Sequence, residues 1–248
     1  YRDAIPQLFV PNCFVLISNG SQAKVGASYA PWDFFSDWLV IDAMGKRGAI
    51  ALETALRGTC DPAILLDIFE NFVAYLERPG GLTKSVARSH QYLGVNAAIE
   101  NLLRARAEQD KRLGVFWHTQ GSGKSLLMVF AAQKLRLQPA LRNPAVLIVV
   151  DRIDLDAQIS ATFHATDIPN LVKAETREEL EALLRQDSRK IIITTIFKFG
   201  EVEGLLNAGY HIVVLVDEAH RTQEGNLGMR MRAALPNAFS FGLTGPPT

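Results

Sequence analysis

Sulfur is scarce in this chain: Cys13 and Cys60 are its two cysteines, too few and too isolated for a disulfide framework or a thiolate metal site. They read as free, buried thiols of a protein kept in a reducing compartment. No uncharged apolar run reaches the about eighteen residues that a membrane-spanning helix needs, so no membrane partner is expected. Tyr1-Arg-Asp-Ala-Ile-Pro6 lacks a signal-peptide pattern and a starting Met, and the chain stops shortly after a Thr-Gly pair; both ends read as cut from a longer polypeptide. An excess of either charge is also missing, since 26 Lys and Arg balance 26 Asp and Glu. A nucleic-acid partner therefore has to be argued from motifs and not from basicity. Internal repeats and low-complexity segments are absent from the sequence.

What is there is the composition of a soluble globular protein, 48% apolar and 21% charged over 248 residues. From residue 113 onward, apolar strand candidates Leu113–Trp117, Val146–Val150, Ile191–Thr195, Ile212–Val216 and Phe239–Leu243 alternate with helical patterns. The helices fall near Ser125–Leu137, Leu155–Phe163, Arg177–Arg185, Phe199–Leu206 and Leu227–Leu235. Continuous apolar strands separated by helices imply an α/β fold with a parallel sheet covered on both faces, which binds ligands at the C-terminal strand ends. Upstream, Asp61 and Pro62 open a helix expected over 62–78, with Ile64, Leu65, Ile68, Phe69, Phe72, Val73 and Leu76 on its core face and Pro79-Gly80-Gly81 as its stop. Cys13–Ser18, Asn19-Gly20 and Gln22–Gly26 read as a β-hairpin with a tight turn. Trp32, Phe34, Phe35 and Trp38 read as core aromatics.

Two segments carry chemistry. In His118-Thr-Gln-Gly-Ser-Gly-Lys-Ser125, Gly121 and Gly123 allow successive backbone N–H groups to face phosphate oxygens, and the following helix adds its positive end. Lys124 would reach the β- and γ-phosphates, and the Ser125 hydroxyl would coordinate Mg²⁺. In Asp217-Glu-Ala-His220, a strand delivers two adjacent carboxylates to the same edge. Asp217 suits a hard, octahedral Mg²⁺ that keeps several waters, and Glu218 suits orienting and deprotonating the attacking water. Together the two segments imply binding, and with it hydrolysis, of a nucleoside triphosphate.

Gly-Ser-Gly-Lys-Ser, Asp-Glu-Ala-His and Leu243-Thr-Gly245 together resemble the motifs of superfamily 2 helicases and translocases, the second being their DEAH box. Phe116-Trp-His-Thr-Gln-Gly-Ser-Gly-Lys-Ser125, Val150-Asp-Arg-Ile-Asp-Leu-Asp-Ala-Gln158 and Asp217-Glu-Ala-His-Arg221 resemble, more specifically, the motor (restriction) subunit of type I restriction-modification enzymes. His90-Gln91-Tyr92 with Asn96-Ala-Ala98 is similar to the segment preceding that motor. Ile5-Pro-Gln-Leu-Phe9 and Ile17-Ser-Asn-Gly-Ser21 resemble the tail of its nuclease domain, so the likeness covers most of the chain.

That resemblance implies a RecA-like P-loop domain over 83–248, a linking helix over 61–82, and over 1–60 an α+β remnant of a nuclease domain. It implies a prokaryotic, cytoplasmic subunit that uses ATP hydrolysis to move duplex DNA before cutting it, alongside methyltransferase and specificity subunits. ATP is then held by Thr119, Gln120, Gly121, Ser122, Gly123, Lys124 and Ser125, with Gln91 on the adenine edge. Arg152, Asp154 and Gln158 contact the tracking strand or support its loop, and Thr194 and Thr195 sit at the next strand end, where hydroxyls can bond phosphates. His220, Thr244 and Gly245 couple the γ-phosphate state to motion. At 246 a proline stands where the family has threonine, removing an N–H and a hydroxyl. No Glu-x-Lys occurs in residues 1–60, so the cutting site would lie upstream of Tyr1, and the second motor lobe with its arginine fingers beyond Thr248. Two other readings stand beside this one: a superfamily 2 helicase or remodelling ATPase without a nuclease, and a nucleotide-binding interaction module that has lost catalysis. Residues 1–248 alone are expected to bind ATP weakly and turn it over poorly; robust DNA-stimulated hydrolysis by them would contradict this.

Overall fold

The computed structural model describes residues 4–78, 81–108, 112–117, 123–151, 162–163, 166, 169–186, 188–200, 202, 204–219 and 226–245. The chain divides into two compact units, Tyr1–Ala97 and Ala98–Thr248.

In the first unit, β1 (Phe14–Ser18) and β2 (Ala23–Ala27) form the antiparallel hairpin expected from Asn19-Gly20. The connection is a four-residue loop rather than a tight two-residue turn. Gly20 takes φ +94°, and Asn19 Oδ1 accepts the Gln22 N–H at 2.8 Å. β3 (Ser36–Asp37) adds to β2. Of the four aromatics expected in the core, Trp38 alone is fully buried, beneath Gly58 of α1 (Ala51–Thr59), where any Cβ would collide with the indole. Trp32 is 56% exposed and stacks on Phe35, and Phe34 is also exposed. Both cysteines are free, but Cys60 lies exposed at the end of α1 and Cys13 is only half-buried, against the expectation of two buried thiols.

The helix expected over 62–78 stops early. Asp61 caps α2 (Pro62–Asn71) by accepting the Ala63 N–H, but at Phe72 the chain turns into β4 (Val73–Arg78), which pairs antiparallel with β5 (Gly81–Val86). In β4, Ala74 and Leu76 are buried while Tyr75 is exposed, a period of two. Phe72 and Leu76 fit both periods, and the Val, Tyr and Thr content of the pair decides for strands. Leu65 and Phe69, placed on the core face of that helix, are exposed. α3 (Ser89–Glu108) follows, burying Tyr92, Val95, Ile99 and Leu102 at helical spacing.

The second unit holds a six-stranded sheet. β6 (Arg112–Trp117), β7 (Ala145–Val150), β8 (Leu171–Lys173), β9 (Ile191–Thr195), β10 (Ile212–Val216) and β11 (Phe239–Thr244) lie in the order β6-β11-β10-β7-β9-β8, and every pairing is parallel. This is the α/β sheet the alternation predicts. Each residue of β7, β9 and β10 is buried, as strands covered on both faces must be. On one face Leu147, Val149, Ile192, Val214 and Val216 pack with Leu180 and Leu184 of α5 (Arg177–Arg185) and Met231 and Ala234 of α6 (Asn226–Ala234). α4 (Lys124–Leu137) packs on β7 and buries Leu127, Met128, Phe130 and Leu135. Thr176 and Glu179 close α5 with a reciprocal capping box.

Two expected helices fare differently. Of 155–163, only Thr162 and Phe163 are described, and both are helical. The described residues of 199–206 form no α-helix: Ile196–Phe199 is a short 3-10 helix, and Gly204 has φ +75°, outside any right-handed helix. Among the described residues, no helix is long and apolar enough to cross a membrane.

Since Leu147 is wholly buried in the central strand, Leu147→Ala is expected to destabilise the second unit by about 2–5 kcal/mol in denaturant titration. Phe69→Ala, at an exposed site, should change stability by under about 1 kcal/mol.

Candidate functional site

Parallel strands bring their C-terminal ends to one edge, and the strand order makes that edge chemically dense. β6 leads into α4, β10 ends at Val216, and β11 lies between them. Registry keeps the ends level: Val216 stands opposite both Val149 and Gly242, and Thr244 opposite Trp117.

Gly123 caps α4 in the left-handed region, φ +88°, which L side chains rarely adopt. Glycine offers no side-chain oxygen to the first-turn N–H groups, so the positive end of the helix is left to other acceptors. Lys124 is the first helical residue, and Ser125, half-buried, the next.

After β10, the Asp217 N–H still donates to Val149 C=O at 2.8 Å, and the chain then breaks away through Glu218, φ +48°. A non-glycine residue there is strained by about 1–2 kcal/mol. The turn carries the Glu218 carboxylate to Lys124, whose Nζ donates to Oε1 at 2.6 Å across 94 residues of sequence. Their side chains are only 13% and 21% exposed, so this is a largely desolvated, charge-assisted contact and not a surface pair.

Asp217 is 3% exposed. Among the described residues its Oδ1 has no hydrogen-bond partner. Burial pushes its carboxyl above the ordinary value; Lys124 opposes this, Glu218 adds to it, the Glu218 N–H opposes it and Asp151 adds to it. An orphaned, buried carboxylate oxygen within the influence of the Lys124 charge suits a hard divalent cation shared with phosphate oxygens. No group of three or more His, Cys, Asp or Glu among the described residues could hold a metal without such help.

Two features of this edge have only weak signals in sequence. A Cβ on Gly242 of β11 would lie 2.8 Å from Ala219 Cβ, so this glycine makes room for the turn that presents Glu218. A glycine inside a strand run is the one available hint of such an approach. The strained φ of Glu218 has no sequence signature.

The other candidates are distributed unevenly. Thr194 and Thr195, at the end of β9, are buried, and Thr194 Oγ1 has no hydrogen-bond partner among the described residues. Thr244, half-buried at the end of β11, donates to Gly245 C=O at 3.0 Å. Gln91 belongs to the first unit and is buried; its Oε1 accepts the Arg88 N–H at 2.9 Å, which closes the start of α3. His118, Thr119, Gln120, Gly121, Ser122, Arg152, Asp154, Gln158, His220, Arg221 and Pro246 lie outside the described residues.

Residues 90–248 match the family model described as SWI2/SNF2 ATPase. Over 276 aligned positions the chain is 39% identical to the type I restriction enzyme HindI endonuclease subunit of Haemophilus influenzae, covering 100% of this chain and 26% of that protein. It is 33% identical to the type I restriction enzyme SsaAORF53P endonuclease subunit of Staphylococcus saprophyticus, covering 60% of this chain and 16% of that one. The chain thus spans about a quarter or less of the length of these relatives. Among solved structures, the Sulfolobus solfataricus SWI2/SNF2 ATPase core in complex with dsDNA aligns with 73% of this chain and 34% of its own, at 12% identity and TM-score 0.48.

Two outcomes follow from the geometry. A carboxyl whose folded-state pKa is raised contributes stability below its unfolded-state value that is lost as pH climbs through the folded-state value. Asp217→Asn should therefore raise the melting temperature of the ligand-free protein in chelator at neutral pH; an unchanged or lower value contradicts a net cost of burying that carboxyl. Gly242→Ala forces β11 and the Glu218 turn apart, and should cut any nucleotide turnover by about 10-fold or more, as sub-ångström misplacement of a reacting group does.

Proposed function

Because the chain belongs to the SWI2/SNF2 ATPase family, we propose that it supplies the ATP-hydrolysing lobe of the endonuclease subunit of a type I restriction enzyme. The observation that carries the nucleotide reading is the meeting of Lys124 and Glu218 at 2.6 Å, beside a buried Asp217. The restriction reading draws support from likeness to endonuclease subunits along the whole chain, residues 1–89 included, where the ATPase match begins only at residue 90. That favours this reading over a remodelling ATPase without a nuclease.

In this proposal Lys124 binds the β- and γ-phosphate oxygens, and the N–H groups at the start of α4 face the same phosphates. Ser125 and Asp217 hold Mg²⁺, which when bound neutralises charge developing on the transferred phosphoryl group. Glu218 orients the attacking water and accepts its proton. Gln91 hydrogen-bonds the adenine edge. Thr194, Thr195, Arg152, Asp154 and Gln158 serve the DNA side, and His220, Thr244 and Gly245 the coupling. Residues 1–60 are the nuclease-side piece of the same subunit, which works in the prokaryotic cytoplasm with methyltransferase and specificity subunits on double-stranded DNA.

In the full-length assembly, long duplex DNA should stimulate ATP hydrolysis, and Lys124→Ala should lower that turnover by at least about 100-fold, the loss typical of removing one group that stabilises transition-state charge. Turnover indifferent to Lys124→Ala would remove the site assignment.

A further inference from the structure

We propose that the edge of the second unit's sheet opposite the nucleotide site is a second contact for duplex DNA, where Arg142 and Lys190 meet its phosphates. The inference rests on the proposed DNA-motor reading and adds to it a surface that none of the motif residues supplies.

Lys and Arg balance Asp and Glu over the whole chain, but they do not balance locally. The loops entering β7, β8 and β9 lie side by side at the N-terminal end of the sheet, since Val146 and Leu171 both stand level with Ile191. Four cationic residues meet there. Arg136, in the last turn of α4, donates through Nε to Asn143 Oδ1 at 3.0 Å, through Nη1 to Pro169 C=O at 3.0 Å and through Nη2 to Arg189 C=O at 3.4 Å. Arg189 Nη1 in turn donates to the carbonyls of Arg142 and Asn143, at 3.3 and 3.4 Å. Arg142 and Asn143 both take left-handed backbone, φ +52° and +55°, and these contacts hold that bend in place.

Carbonyl and amide oxygens satisfy the N–H groups of a guanidinium but leave its charge uncancelled. Among the described residues, Arg136, Arg142 and Lys190 make no ion pair. Arg136 and Arg189 therefore act as a frame, and Arg142 and Lys190 are the cations it presents. Arg142 is exposed and Lys190 half-buried, and among the described residues neither side chain hydrogen-bonds to the protein. Asp217 and Glu218 stand at the other end of the strands, about 20 Å away by the rise of the six residues of β7. Charge is thus separated along the sheet, acidic at the nucleotide edge and basic at the opposite one.

A small anion is enclosed by its donors. Here the available cations project from adjoining loop ends on a fixed frame, which suits a partner that lays a row of charges across them. The phosphate backbone of duplex DNA is such a row, and both arginine and lysine bind phosphate. A contact of this kind positions the duplex without reading its sequence.

The test is equilibrium binding of labelled duplex DNA to the full-length assembly, by fluorescence anisotropy without nucleotide, across a salt series. Arg142→Asn suits the left-handed backbone and removes one charge, and Lys190→Gln removes the other. Each should weaken binding by about 5- to 10-fold at about 0.1 M salt, equally on unrelated sequences, and lower the slope of log affinity against log salt by about 0.9. The double variant should lower that slope by about 1.8. Arg142→Lys should restore most of the affinity, and ATP hydrolysis without DNA should be unchanged in every variant. A double variant with the affinity and slope of the wild type overturns the patch and leaves the motor site standing. Weaker binding that accompanies loss of another subunit from the assembly, read by size-exclusion chromatography, makes this surface a protein interface and overturns the patch as well. A wild-type assembly with no affinity for duplex DNA overturns the DNA-motor reading and the patch together.

Discussion

Hydrogen-bonded registry between parallel strands decides where this lobe can do chemistry. Val216 of β10 is level with Val149 of β7 and Gly242 of β11, and Thr244 of β11 is level with Trp117 of β6. A slip of one residue in β10 would send the Asp217 carboxylate to the opposite face and take Glu218 away from α4. What resists the slip is burial on both sides: Val214 and Val216 lie in one hydrophobic cluster while Val213 and Leu215 are buried beyond it. The apolar runs are thus part of the site as much as of the core.

That rigid edge holds charges in a place with little water. Asp217 is buried against its electrostatic preference, Lys124 offsets it, and Glu218 shares the lysine. Such an arrangement is stable only because the sheet supplies far more stabilisation than one strained turn and one buried carboxyl remove. In the proposed function, a bound cation and phosphate would give the orphaned Asp217 oxygen a partner. The proposed function assigns the nucleotide to the residues this fold holds least comfortably.

Legibility in the sequence followed the range of the interactions involved. β7, β9 and β10 are read within a residue of their ends because β-branched runs between turn residues have no competing period, and α5 because its capping box is local. The segment 62–78 was ambiguous: Phe72 and Leu76 satisfy helical and alternating spacing alike, and Pro79-Gly80-Gly81 suits a helix stop or a hairpin turn. Gly204 was visible but its positive φ was not. α3 was within reach, since Tyr92, Val95, Ile99 and Leu102 recur at three- and four-residue steps. At the candidate site, the glycine-rich loop and the acidic pair are local motifs and could be read directly. The Glu218 turn, its contact with Lys124 and the role of Gly242 depend on segments far apart in sequence that only the sheet brings together.

The gap at Gly242 also bears on how such chains can vary. A hydrogen at 242 and a methyl at 219 fill the space between β11 and the turn, and two methyls would stand 2.8 Å apart. The pair therefore has room for one methyl group, whichever position carries it. Alanine at 242 is compatible with this edge when position 219 becomes glycine, so the two sites are free to exchange side chains but not to enlarge independently. A strand and a turn far apart in sequence are thereby constrained together by one packing contact.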